Sequence, residues 1–289
     1  MKLEKPIRLL TMDLDETLLG SDKHVSKENR EALAKARAAG IHTVIATGRP
    51  WFSFRQTLQE IGTDNLEDEY SISLNGGAIV ANSSGDPVYV KGLPYERIAE
   101  LFEKGRKYPA AVHVNTLDQA YGWNLSEDER AFLKGRLPIL ELEIPDLQPY
   151  QKETFVKILF GSLDPNILHS IKEDLGKDAD DLDVSFSSGR YVEFNARGVT
   201  KGSGLKALAD LLGLDLLECA AIGDHMNDLA MIEEAGLGIA VANAVDPIKE
   251  VADYITAADH NHGAIAEAVG YILQRNRRLS QSDSSGEQV

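Results

Sequence analysis

The chain is 289 residues long, 43% apolar and 26% charged, an ordinary balance for a globular protein and enough for one large or two moderate domains. Its net charge of −16, with no basic run before "RNRR" at 275–278, argues against a nucleic-acid surface and against binding to anionic membranes. The same charge means that a phosphorylated ligand would need cations supplied locally. The apolar runs are too short for a membrane span, and "MKLEKPIRLL" lacks the apolar core of a signal peptide. A single cysteine, Cys219, reads as a small core residue and suits a reducing, cytoplasmic setting.

In chain order, "IRLLTMD" (7–13), "HTVIAT" (42–47) and "YSISLN" (70–75) are short apolar runs that read as strands. The first helix between them opens at the N-cap Ser26 and closes at Gly40; the second covers 51–61 and stops at Gly62. Near-continuous apolar strands alternating with helices predict a parallel sheet covered on both faces. In the middle, "DPVYVKGL", "AAVHVNT", "AYGW", "FVKILFGSL", "VSFSS" and "YVEFNA" look like half-buried strands, with helices near 94–107, 126–136 and 164–176. Turn signals at "NSSGDP" (82–87) and "NARG" (195–198) mark the two crossings. The β/α pattern then returns: a helix over 200–212, "CAAIGD" (219–224), "DLAMIEEA", the strand "GLGIAVAN" (236–243), a helix over 245–252 and a last helix over 262–274. The expected architecture is an α/β doubly wound core of residues 1–82 and 193–274, split by an inserted α+β cap of residues 83–192. The polar tail 275–289 is expected to be disordered.

In open α/β sheets, ligands bind outside the carboxyl ends of the strands. Four short motifs fall there: "DLDET" (13–17), "TGR" (47–49), the lysine of "GVTKGSGL" (Lys201) and "GDHMND" (223–228). Each has a bland reading. A D-x-D-x-T string is short, T-G-R can be a plain turn, Lys201 could be a solvated helix residue, and the acids of "GDHMND" could merely cap the next helix. Together they supply carboxylates, hydroxyls, cations and an amide on one side of the sheet, an inventory for gripping a divalent metal and a phosphoryl group. "NGG" (75–77) is either a turn or a substrate-facing loop. Trp51, Phe52, Phe54 and His113 read as packing residues, while Arg190 and Glu193 flank the return to the core.

These motifs, with "SLNGGAIV", "YVEFNARGVTKGSGL" and "GIAVANAVDPIKEVADYIT", resemble those of the haloacid dehalogenase-like hydrolases, and more narrowly the Cof-type phosphatases with a large inserted cap of the C2B type. The resemblance extends to about residue 274. It implies that Asp13 is the nucleophile, forming an aspartyl-phosphate, and Asp15 the general acid/base. It also implies that Asp13, the Asp15 backbone carbonyl and Asp224 hold Mg²⁺, with Asp228 close by. Thr47, Gly48, Arg49, Lys201 and Asn227 fall at the phosphate-binding positions, Lys201 being catalytic as well. Glu16 departs from the pattern, since many relatives carry glycine there. The implied function is a Mg²⁺-dependent phosphatase of small phosphorylated metabolites, with sugar phosphates the foremost class. A phosphotransferase or phosphomutase on the same site is the enzyme alternative; a phosphate-responsive switch or a binding protein without catalysis is the non-enzymatic one. No motif speaks to the oligomeric state.

Overall fold

The computed structural model describes residues 4–176 and 179–286. From the N-terminus come β1 (Leu9–Met12), α1 (Lys27–Ala38), β2 (His42–Ala46), α2 (Arg55–Ile61), β3 (Tyr70–Ser73), β4 (Ala78–Ala81) and β5 (Pro87–Val90). The middle of the chain adds α3 (Tyr95–Gly105), β6 (Ala111–Thr116), β7 (Ala120–Trp123), α4 (Glu127–Leu133), β8 (Leu140–Glu141), β9 (Phe155–Gly161), α5 (Pro165–Gly176), β10 (Leu182–Ser187) and β11 (Tyr191–Ala196). Last are α6 (Lys201–Leu212), β12 (Cys219–Gly223), α7 (Leu229–Glu234), β13 (Leu237–Ala240), α8 (Asp246–Val251), β14 (Tyr254–Ile255) and α9 (Ala264–Gly286).

Two sheets result. The core sheet has the order β14-β13-β12-β1-β2-β3-β4-β5, parallel from β14 through β3 and antiparallel beyond. Its strands are continuously apolar because they are buried on both faces: all four residues of β1 and all five of β12 are buried. Helix α1 packs on α9 and α6 on α7 to cover it. The chain winds outward from β1 in both directions, since β2 lies on one side and β12 on the other. A crevice at such a reversal is where an open α/β sheet binds its ligand. The cap sheet, β10-β11-β9-β6-β7-β8, is antiparallel apart from the short β7–β8 pair. Val112, Val114, Ile158, Phe160, Val192 and Phe194 form one face of it and pack with α3 and α5 into a second apolar core.

Three boundaries differ from the expectation. β5 lies beyond residue 83 yet extends the core sheet by pairing with β4, because "NSSGDP" makes a hairpin rather than a crossing. β11 runs three residues past 193 inside the cap sheet, held between β9 and β10. The tail expected to be disordered from 275 instead continues α9 to Gly286. Asn276 explains where that helix is anchored: its side chain accepts from the Ile7 amide and donates to the Ile7 carbonyl, both at 2.8 Å. Arg275 donates to the Lys5 carbonyl at 2.6 Å. Residues 287–289 of that tail lie outside the described residues. The helix expected over 51–61 begins as a short 3₁₀ turn, Trp51–Ser53, before α2. No helix among the described residues is long and apolar enough to cross a membrane.

Candidate active site

Three adjacent strands each deliver one polar residue at the carboxyl edge: Asp224 follows β12, Asp13 follows β1 and Thr47 follows β2. The register pairs Met12 with Ile222, and the Asp13 amide still donates to the Ile222 carbonyl at 2.9 Å, so Asp13 stands beside the start of the 224–228 loop. That loop is tightly wound. Asp228 turns back so that its Oδ2 accepts from the amides of Asp224 and His225, both at 3.0 Å. Residue 223 must be glycine for this, because a Cβ there would lie 2.5 Å from the Asp228 carboxyl carbon.

Lys201 is the first residue of α6, whose start is fixed by a capping box between Thr200 and Ser203. It is 1% exposed, and its ammonium donates to Asp13 Oδ1 and, at 2.6 Å, to Asp228 Oδ1. Asp228 is therefore fully enclosed, with both oxygens accepting hydrogen bonds. Asp13 and Asp224 keep access to the cavity above. Asp13, Asp224 and Asp228 each offer one oxygen within 4.8 Å of the others. Burial and the neighbouring carboxylates, opposed by Lys201, push Asp13 up to about 7 and Asp224 up to about 9. The two acidic partners hold Lys201 above its ordinary value despite its burial. Such crowding of oxygen donors around one lysine suits a hard divalent cation, and Asp13 and Asp224 are the two with oxygens open to it.

Asp15 is elsewhere. Beyond Asp13 the chain leaves the sheet, and the Asp15 carboxylate is clasped by the Arg49 guanidinium, with Nε at 2.8 Å, and approached by Lys23 at 3.6 Å. Burial would raise its pKa, but these cations hold it below the usual carboxylate range. Arg49, expected on phosphate, thus faces Asp15 in this state. Glu16 has a φ of 60°, the left-handed conformation that favours glycine, and its carbonyl accepts from Asn243 at 2.8 Å. Thr47, Gly48 and Asn227 all line the cavity with Asp13 and Asp224. Thr47 Oγ1 accepts from the Arg49 amide at 3.2 Å.

The cavity, about 440 Å³, lies between the two sheets and its roof belongs to the cap. Glu193 is one joint between core and cap. It accepts from Lys157 at 2.5 Å, from Ser187, and across the domain boundary from Asn75 Nδ2 at 3.0 Å. "NGG" is accordingly a link between core and cap, its Asn75 in a left-handed turn with φ 58°. His113 pairs with Glu129 at 3.1 Å, and Arg190 pairs with Asp128 and Glu129 inside the cap. Lys157, Asn115 and Tyr191 line the cavity without having been singled out in the sequence. The one available signal was Lys157 itself, a lone charge inside the otherwise apolar "FVKILFG".

Residues 10–269 match the model of the haloacid dehalogenase-like hydrolase family. A 5-amino-6-(5-phospho-D-ribitylamino)uracil phosphatase of Bacillus subtilis is 30% identical over 263 residues, covering 91% of this chain and 94% of that protein. A second phosphatase of the same organism is 30% identical over 292 residues, covering 92% of this chain and all of its own. The crystal structure of a haloacid dehalogenase-like hydrolase from Bacteroides thetaiotaomicron superposes with a TM-score of 0.80 at 30% identity, over 92% of this chain and 99% of that one. The chain belongs to the haloacid dehalogenase-like hydrolases of the Cof type. It is a phosphatase.

Proposed function

We propose that the protein hydrolyses small phosphorylated metabolites, sugar and polyol phosphates foremost, through an aspartyl-phosphate on Asp13. The observation that carries this reading is the arrangement of Asp13 and Asp224 open to one cavity with the Lys201 ammonium fixed beneath them. The Asp13 carboxylate attacks phosphorus as the bond to the leaving oxygen breaks, and Asp15 gives that oxygen a proton. Water then attacks the phosphorus of the acyl phosphate and yields its proton to Asp15, which releases phosphate and restores Asp13. Lys201 offsets the charge that grows on the phosphoryl oxygens, and Thr47, the Gly48 amide and Asn227 supply further donors.

Mg²⁺ suits the oxygen donors of Asp13 and Asp224, with the Asp15 carbonyl as the expected third and Asp228 holding the loop and Lys201 from behind. When bound, it would neutralise charge between two anions that otherwise repel. Asp15 can act as an acid only after it exchanges Arg49 for the leaving oxygen and gains a proton, so Arg49 is freed toward the anionic substrate in the same exchange. The relative named for a phosphoribityl compound favours a hydroxylated leaving group.

Purified protein incubated with a panel of phosphorylated metabolites, with Mg²⁺ or with chelator, tests the reading. Phosphate release that needs Mg²⁺ is expected. Isomer formation without release would make the enzyme a mutase, and no turnover of any ester, p-nitrophenyl phosphate included, would refute catalysis.

A further inference from the structure

The cap sheet has one apolar face and one polar face. Successive residues of a strand point to opposite sides, so Val112 and Val114, Ile158 and Phe160, Val192 and Phe194 fill the cap's own core. Their neighbours His113 and Asn115, Lys157 and Leu159, Glu193 and Asn195 therefore share the other face. The register sets Asn115 beside Lys157 and Lys157 beside Asn195. This face looks onto the cavity above Asp13 and Thr47: Asn115, Lys157, Leu159 and Glu193 all line it.

Within this row the charges are already satisfied. Lys157 and Glu193 pair at 2.5 Å, and Glu193 also takes Asn75 and Ser187. The amides are not. Asn115 is only 2% exposed, yet its Oδ1 has no hydrogen-bond partner, and Asn195 Oδ1 is in the same position. A buried amide oxygen without a protein partner costs stability unless something in the cavity bonds the side chain. An apolar residue of similar size would serve better at Asn115 if packing were its only task.

Building on the phosphatase reading, we infer that Asn115, beside the paired Lys157 and Glu193, is a specificity residue that hydrogen-bonds a hydroxyl of a neutral, polyhydroxylated leaving group. An amide offers both a donor and an acceptor, as a hydroxyl does, so the two match without any change of charge. The Lys157–Glu193 pair adds a matched donor and acceptor with no net charge beside it. This pattern suits a sugar or polyol phosphate better than an ester whose alcohol carries a second anion. A site built to bond a hydroxyl discriminates against analogues that lack it.

The test compares wild type with Asn115→Leu and Asn115→Ala on ribose 5-phosphate, 2-phosphoglycolate and p-nitrophenyl phosphate, all with Mg²⁺, alongside melting temperatures. The wild type is expected to prefer ribose 5-phosphate. Both variants should lower the ratio of kcat/KM for ribose 5-phosphate to that for p-nitrophenyl phosphate by about tenfold. Asn115→Leu should melt no lower than wild type, because it removes a buried amide oxygen that has no protein partner. An unchanged ratio in both variants overturns the inference, as does a wild type that prefers 2-phosphoglycolate. A wild type inactive on all three esters would instead refute the phosphatase reading itself. Alanine cannot clash, so a folding defect in the leucine variant leaves the alanine ratio to decide.

Discussion

Burial raises the pKa values of Asp13 and Asp224, with Asp228 adding to both, Asp15 to Asp13 and Asp13 to Asp224, and that makes the metal-free fold sensitive to pH. A carboxyl whose pKa is higher in the folded than in the unfolded chain stabilises the fold below the ordinary carboxylate range. That contribution is lost as pH rises through the folded values, here about 7 and about 9. In chelator the melting temperature should therefore fall as pH climbs from about 5 to about 9. Asp224→Asn removes a carboxyl that, with a folded value of about 9, must take up a proton to fold at pH 8, while keeping an oxygen for Thr17, which donates to Asp224 at 3.1 Å in the native protein. The variant should be more stable than wild type by about 2 kcal/mol at pH 8 in chelator, and should gain far less from added Mg²⁺. Melting curves with and without Mg²⁺ check both. A variant destabilised in chelator that still responds fully to Mg²⁺ would make Asp224 a structural cap. Asp13, Thr47 and Asp224 could be read from sequence because each ends a recognisable apolar strand, whereas at Glu16 only the departure from the motif was legible and not its left-handed turn. The clasp of Arg49 on Asp15 could not, since nothing local relates side chains 34 positions apart.

At the scale of elements, the site depends on how the return from the cap meets the third strand. Helix α6 starts against the 74–76 turn, and this contact sets where Lys201 enters. Gly76 has a φ of 91°, and a Cβ there would come within 2.2 Å of the Thr200 carbonyl oxygen, backbone that cannot swing aside. Gly76→Ala should destabilise the protein by about 2 kcal/mol or more in urea unfolding, through strain at positive φ and displacement of α6. It should also depress kcat, because Lys201 moves with the helix. A variant with unchanged stability and kcat would separate Lys201 from that contact. The strands and helices of the core were legible from apolar runs and caps; Ser26, for example, does accept from the Asn29 amide at 3.2 Å. The edges of the insertion were not. "NSSGDP" has the composition of a linker, and only pairing with β4 makes the residues after it a core strand. The full length of the C-terminal helix is not legible either, because its polar end is anchored by Asn276 and Arg275 on backbone some 270 residues away.

For the whole molecule, the acidic total and a phosphorylated substrate are reconciled by position. Lys23, Arg49, Arg136 and Lys157 line the cavity among Asp13, Asp15, Glu16, Glu193 and Asp224, and Lys201 lies under it, so an entering anion meets local cations that exchange a carboxylate partner for it. In the proposed mechanism the core supplies the reacting groups and the cap the roof, and the Asn75–Glu193 bond ties the two. Such a division lets the cap change its choice of alcohol while the chemistry below is kept. The central claim is that Asp13 is the nucleophile of that chemistry. It is tested most directly by turnover of p-nitrophenyl phosphate by Asp13→Asn beside wild type, at saturating Mg²⁺, with melting curves to confirm folding. The account predicts a folded variant whose kcat falls by about a thousandfold or more, because the amide cannot form the acyl phosphate. A folded Asp13→Asn that turns over at a rate near wild type would contradict it.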